Sequence, residues 1–188
     1  NIIKQNGIVQ STNTMGKTQK NLVGIHFHGL ANWTDDDNYI FNSMIKVLNI
    51  QLREALREDK GGVYGVGVNG AFVQRPKNAY GITIQFNTEP KRVDELVKTV
   101  YDNIDSLKNN LTTIEKIKKV QETPRRERES YSKENSFWLG TLQYYDEYGK
   151  DINTIENYNQ QIDALTPQKI KDAVNKYKKM KNRVEVIL

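Results

Sequence analysis

The sequence predicts an α+β fold, a largely antiparallel sheet with helices packed on one face. Three observations carry this reading. Strand-like alternation appears early in the chain, again as a pair in the middle, and once more at the end. Helical periodicity fills nearly everything between. The two middle strands are joined by Arg75-Pro76-Lys77-Asn78, a turn signal that makes them an antiparallel hairpin.

Residues 1–19 are polar with no strong period, and are expected to form an edge strand or a loop. Lys20–Gly29 reads as a strand in which Val23, Ile25 and Phe27 alternate with Gly24, His26 and His28. Thr34 followed by Asp35, Asp36 and Asp37 starts a helix, with anions at the positive end of its dipole. Ile40, Met44, Val47, Leu48, Leu52 and Leu56 continue it until Gly61-Gly62. Val63–Val73 and Ala79–Asn87 form the hairpin. Pro90 opens a helix with a stripe of Val93, Leu96, Val97, Val100, Ile104 and Leu107. Thr112 and Glu115 form a capping box for the next helix, which Pro124 should disturb. An aromatic-rich helix over Ser136–Tyr148, a short one over Ile152–Ile162 and a last one from Thr166-Pro167 follow. Arg183–Leu188 closes as a strand with Val184, Val186 and Leu188 on one side.

If Ile25, Phe27, Ile82, Ile84 and Phe86 face the helices, the other side of the sheet carries Gly24, His26, His28, Thr83, Gln85 and Asn87. The neighbouring strand adds Gly65, Gly67 and Asn69. Such a small, polar surface is either simply wetted or the wall of a cavity closed by a second domain. Tyr80, Tyr144, Tyr145, Tyr148 and Trp138 fall at strand or helix spacing and are read as packing residues without a site.

With 188 residues and 37% hydrophobic content, the chain can bury a sizeable core, so residues 1–188 are expected to form a single domain. There are no cysteines, which removes disulfides and thiolate chemistry but leaves the compartment open. No stretch is apolar enough for a membrane span. A first residue of Asn rather than Met points to a piece of a longer protein. The net charge of +5 comes with basic runs at Lys116–Arg128 and Lys176–Arg183. Glutamates interrupt the first, as on a solvated helix face, and the second falls at a helix C-terminus. Aromatic and basic residues do not interleave as in sheet-type RNA binders, so no nucleic-acid partner is expected; steeply salt-dependent oligonucleotide binding would mark one.

The most informative run is Arg57-Glu58-Asp59-Lys60-Gly61-Gly62-Val63-Tyr64. A cation ends a patterned helix, two glycines turn the chain, and a phenol opens a strand, so that both groups can reach one bound ligand. This run, with the helix before it and the hairpin after it, resembles the C-terminal domain of pitrilysin/insulinase-type zinc peptidases. The resemblance extends to Glu89-Pro90-Lys91-Arg92-Val93-Asp94-Glu95-Leu96, to Asn135-Ser136-Phe137-Trp138-Leu139 and to Leu165-Thr166-Pro167, and so spans roughly Gly7 to Leu188.

The resemblance implies a metalloprotease or processing-peptidase-like half in which Arg57 and Tyr64 touch a bound peptide near the scissile bond. In that family zinc is held by an inverted His-x-x-Glu-His motif in an N-terminal domain. No such motif occurs here, and the two histidines, His26 and His28, lack an evident third ligand. The resemblance therefore implies zinc in the full enzyme but none bound by this domain. It implies an N-terminal zinc-bearing domain or partner subunit, a peptide substrate, and a fragment inactive by itself. Tyr64 would donate to the oxyanion that forms on the peptide carbonyl. Arg57 would fix a carbonyl or orient the tyrosine. Gly61 and Gly62 would let the backbone pass close to substrate.

From the residues alone, Tyr64 shares its side with Val66, Val68 and Phe72, as a packed core tyrosine would, and Arg57 resembles a helix-end cation pairing with the dipole. The alternative function is a noncatalytic scaffold of the same fold, like the processing-peptidase-like core proteins of respiratory complexes. Similar bacterial proteins point to the periplasm or cell envelope; the residues themselves name no compartment.

Overall fold

The computed structural model describes residues 6–13, 20–59, 63, 65–177 and 182–188; the side chains of 58 and 59 are not described. The chain divides into two compact units. The first comprises Asn1–Thr112 and Gln168–Leu188, and the second comprises Thr113–Pro167.

The first unit is built on a five-stranded sheet: β1 (Gly7–Thr12), β2 (Asn21–Leu30), β3 (Val66–Val73), β4 (Ala79–Thr88) and β5 (Asn182–Ile187). Their spatial order is β1-β5-β2-β4-β3, antiparallel except where β1 runs parallel to β5. Residues 7–12 are thus the edge strand that the polar leader allowed. In the β2–β4 register Ile25 stands opposite Ile84, Phe27 opposite Ile82 and Val23 opposite Phe86. All six are buried on one face.

Three helices supply the apolar stripes for that face: α1 (Asp35–Arg53), α2 (Val93–Asn109) and α6 (Pro167–Tyr177). Thr34 caps α1 by accepting from the Asp37 amide at 3.0 Å. Phe41, Met44, Ile45, Leu48 and Leu52 are its buried ridge, at three- and four-residue spacing. In α2 the expected stripe of Val93, Leu96, Val100, Ile104 and Leu107 is buried. Burial of each such side chain contributes roughly 1.5–3 kcal/mol. Phe27 and Ile82 of the sheet meet Met44, Leu48, Ile104, Leu107 and Val174 around one small apolar void. Phe41, Phe72, Tyr80 and Tyr177 form an aromatic cluster, with ring centres 5.1 to 6.2 Å apart.

In the last strand the alternation leaves open which side meets the helices. Val184 pairs with His26 and Val186 with Gly24, so the apolar side of β5 lies on the face away from the helices. Glu185, opposite Ile25, is buried on the helix side. There Tyr101 Oη donates to it at 2.8 Å and Gln10 Nε2 at 3.3 Å. The Arg183 guanidinium stacks 4.7 Å from the Tyr101 ring centre. Alternation shows which residues share a side; here a buried polar network decides which side meets the helices.

The second unit contains α3 (Ile114–Tyr131), α4 (Asn135–Glu147), a 3-10 turn (Ile152–Asn157) and α5 (Tyr158–Asp163). The cap of α3 is Thr113, whose hydroxyl accepts from the Lys116 amide at 3.3 Å, rather than Thr112. Pro124 does not break α3. It is buried on the same face as Ile117 and Val120, and that packing offsets the hydrogen bond its missing N–H forfeits. The aromatics of α4 are not core: Trp138 is 40% exposed, and none of the helix's residues is buried. Tyr80 alone among the five tyrosine and tryptophan residues read as packing residues is buried.

Candidate functional site

Two places bear on function: the turn that follows α1, and the sheet face that carries no described helix of the first unit. After Arg53 the chain widens into a π-helical turn, Glu54–Asp59. Such turns recur at functional sites because the extra residue per turn re-aims the side chains. Leu56 points inward and is fully buried, while the next residue, Arg57, is exposed. The guanidinium is thus presented outward from a backbone anchored in the core. Tyr64, Gly61 and Gly62 lie outside the described residues. Val63 is buried, which fixes the chain just before the predicted phenol.

The second face of the sheet has the composition the alternation predicted. Asn69, Ala71, Gln85 and Asn87 are exposed, and Gly24, His26, Gly67, Gly81 and Thr83 are half-buried. Val184 and Val186 add the apolar strip at one side. Among the described residues on this face the only ionisable groups are the two imidazoles. Nδ1 of His26 lies 2.9 Å from Thr83 Oγ1, and its ring stacks beside His28 with centres 5.7 Å apart. His28 is buried although its side chain leaves the face away from the helices.

The chain's residues do not fit a catalytic zinc. Among the described residues no group of three or more His, Cys, Asp or Glu is placed to hold a metal. A histidine pair alone falls short of the three protein ligands such a site uses.

A family model described as the Peptidase M16 inactive domain matches residues 2–123. No curated protein matches the chain. Among solved structures it is similar to the ferredoxin protease FusC in complex with Arabidopsis ferredoxin, with a TM-score of 0.79 and 18% identity. That match covers 98% of this chain and 21% of the other. It is similar to the periplasmic protease PqqL from Escherichia coli, with a TM-score of 0.83, 16% identity, and coverage of 97% of this chain and 20% of that one. The chain therefore spans about a fifth of either protease. A solved inactive peptidase domain from Bordetella parapertussis aligns over 94% of this chain and 96% of its own, with a TM-score of 0.68 and 14% identity. These likenesses establish a shared fold, and the family match covers more than half of the sequence. The chain belongs to the Peptidase M16 inactive domain family, the pitrilysin-type C-terminal half that its Arg57–Tyr64 run resembles.

Proposed function

We propose that residues 1–188 form the zinc-free domain that completes the active site of a metalloendopeptidase and binds its peptide substrate. The observation that carries this reading is the second face of the sheet: mostly small, polar or apolar side chains over three adjacent strands, with no described helix of the first unit upon them. Such a surface suits one wall of a chamber in which a peptide backbone is held without preference for particular charges. The wall needs an opposite half, an N-terminal domain or partner subunit, and that half is where zinc and its activated water would reside.

Within such a chamber the chain's own groups have defined tasks. Tyr64 donates a hydrogen bond to the carbonyl oxygen as negative charge builds there. Arg57, exposed and carried by an anchored turn, offers a fork of donors to a neighbouring carbonyl or to the tyrosine. Gly61-Gly62 lets the peptide approach the backbone without a Cβ in the way. A periplasmic or cell-envelope setting accompanies the proposal, supported by the likeness to PqqL. No described helix is long and apolar enough to cross a membrane.

The test is to combine the chain with its zinc-bearing half and assay a quenched peptide. Tyr64→Phe should lower kcat by about 10²–10³-fold with little change in KM, the loss of one oxyanion donor. Unchanged turnover would remove Tyr64 from the mechanism. The family's own description as an inactive domain favours a second reading, a noncatalytic scaffold. That reading predicts no peptide hydrolysis from the combined halves, and a parent gene without His-x-x-Glu-His.

A further inference from the structure

The second face of the sheet changes character at the end where the β3–β4 hairpin turns. Leu30 stands opposite Ala79, and Val73 stands opposite the same Ala79. Their chain neighbours Gly29, Tyr80 and Phe72 all lie on the helix side: a Cβ on Gly29 would meet the Tyr80 ring, and Tyr80 and Phe72 pack on Phe41. By alternation Leu30, Ala79 and Val73 therefore leave the other face, as one apolar row across three strands. Leu30 is 67% exposed and Val73 42%. In the adjoining row β4 and β3 offer only Gly81 and Ala71, which leaves room for a side chain laid beside Val73.

Charge is spread unevenly around this row. None of the 23 acidic residues falls within residues 1–34 or 60–88, so β1 to β4 carry no carboxylate at all. Glu185 of β5 is turned to the helix side. The turn that joins Val73 to Ala79 begins where the row ends, and it carries Arg75 and Lys77, both exposed. An apolar strip thus meets a cationic rim, on strands without a carboxylate. That combination attracts a ligand that is apolar and anionic within one residue's reach.

We infer that this end of the sheet is a subsite for the last residue of a peptide, with an aliphatic side chain on the Leu30–Ala79–Val73 row and the α-carboxylate at the basic turn. The inference rests on the peptide-binding function proposed for the chain, and it names the kind of peptide. Geometry selects a C-terminus over an internal Asp or Glu. In an extended peptide successive side chains leave opposite faces, so an acidic residue beside the seated aliphatic one points off the sheet. The α-carboxylate belongs to the seated residue itself and stays at the surface. A peptide ending in Lys or Arg would instead bring like charge to the rim.

The test titrates the chain of 188 residues, methyl-labelled at Leu, Val and Ala, with a polar peptide ending in Leu, as the free acid and as the C-terminal amide. The expected result is saturable shifts of the Leu30, Val73 and Ala79 methyls. Those of Leu139 and Leu142, exposed elsewhere on α4, should stay in place. The amide should bind about threefold more weakly, the size of one exposed ion pair. Leu30→Ser should weaken the acid about fourfold or more, the loss of at least one buried methylene. Lys77→Gln should narrow the gap between acid and amide. Leu30 and Lys77 are both exposed, so the variants keep the fold. Equal affinity for acid and amide, or equal shifts at Leu139 and Leu142, overturns the proposal. Failure of the peptidase reading has a different signature: the combined halves leave a quenched peptide uncut while the methyl shifts persist. Hydrolysis without shifts at Leu30, Val73 and Ala79 removes the subsite alone.

Discussion

Gly70 sets how closely α1 approaches the sheet. A Cβ there would lie 2.5 Å from Ile45 Cγ1 and 2.7 Å from Phe41 Cε1, closer than side-chain carbons can pack. At Gly67, three residues earlier and on the opposite face, a Cβ would meet only Asn69 Nδ2 at 3.9 Å. Gly70→Ala should therefore destabilise the fold, because an overpacking cost of about 1–3 kcal/mol exceeds the roughly 0.4–1 kcal/mol gained by stiffening the unfolded chain. Gly67→Ala should be neutral or slightly stabilising. Urea midpoints of the two variants test this; a Gly70→Ala midpoint at or above the wild type would contradict the packing. At this scale the sequence was partly legible. The alternation of Val23, Ile25 and Phe27 fixed which β2 residues are core, but Glu185 gave no sign of being buried. Its environment depends on Tyr101, a residue 84 positions away, whose hydroxyl it holds. Burial, and then the hydrogen bond and charge of Glu185, push that phenol well above the ordinary tyrosine range.

Helix starts show the same division. Thr34 and three aspartates announced α1, and the cap is where that signal placed it. What the sequence could not show is the tertiary partner of that first turn. Lys176, near the end of α6, reaches Asp37 with its Nζ 2.7 Å from the carboxylate. Partial burial raises the Asp37 pKa, but the Lys176 hydrogen bond and charge, with Tyr177 and Thr34, outweigh it and leave the group below its ordinary 3.8. A carboxylate depressed in the folded state contributes stability above its unfolded pKa and loses it as pH falls through the folded value. Asp37→Asn should consequently lower the melting temperature at neutral pH, and the gap to wild type should close as pH drops below 3.8. Thermal melts from neutral to strongly acidic pH measure it; a gap independent of pH would rule out the ion pair as its source. The start of α3 was harder to read. Two adjacent threonines both fit a cap, and only the backbone geometry selects Thr113.

At the scale of the whole chain, the division into two units was not legible, because the helix break before Thr113 reads like any other short connection between two helices. The units differ in how they are held. The first rests on a sheet and three apolar helix stripes, whereas the second has few buried apolar residues, among them Ile117, Val120, Ile155, Ile162 and Leu165. Polar staples supplement them. Gln121 Nε2 donates to the Ile162 carbonyl at 2.7 Å, Arg125 pairs with Asp163, and Arg128 donates to the Ile155 carbonyl at 3.1 Å. Arg128 also lies over Phe137, Trp138 and Tyr158, with its guanidinium carbon 4.7, 5.7 and 5.3 Å from the ring centres. One planar cation thus ties α3 to α4, to the 3-10 turn and to the start of α5. Each such face contact is worth about 0.5–1 kcal/mol where solvent reaches it, and a lysine reproduces neither the stacking nor the fork. Arg128→Lys should raise amide exchange across Thr113–Pro167 by roughly tenfold, the equivalent of about 1.4 kcal/mol of local stability. Exchange in β2 and β4 should stay at the wild-type rate, because the sheet shares none of these contacts. Hydrogen-exchange mass spectrometry reads both regions at once, and equal acceleration in the two would show that they unfold as a single cooperative body.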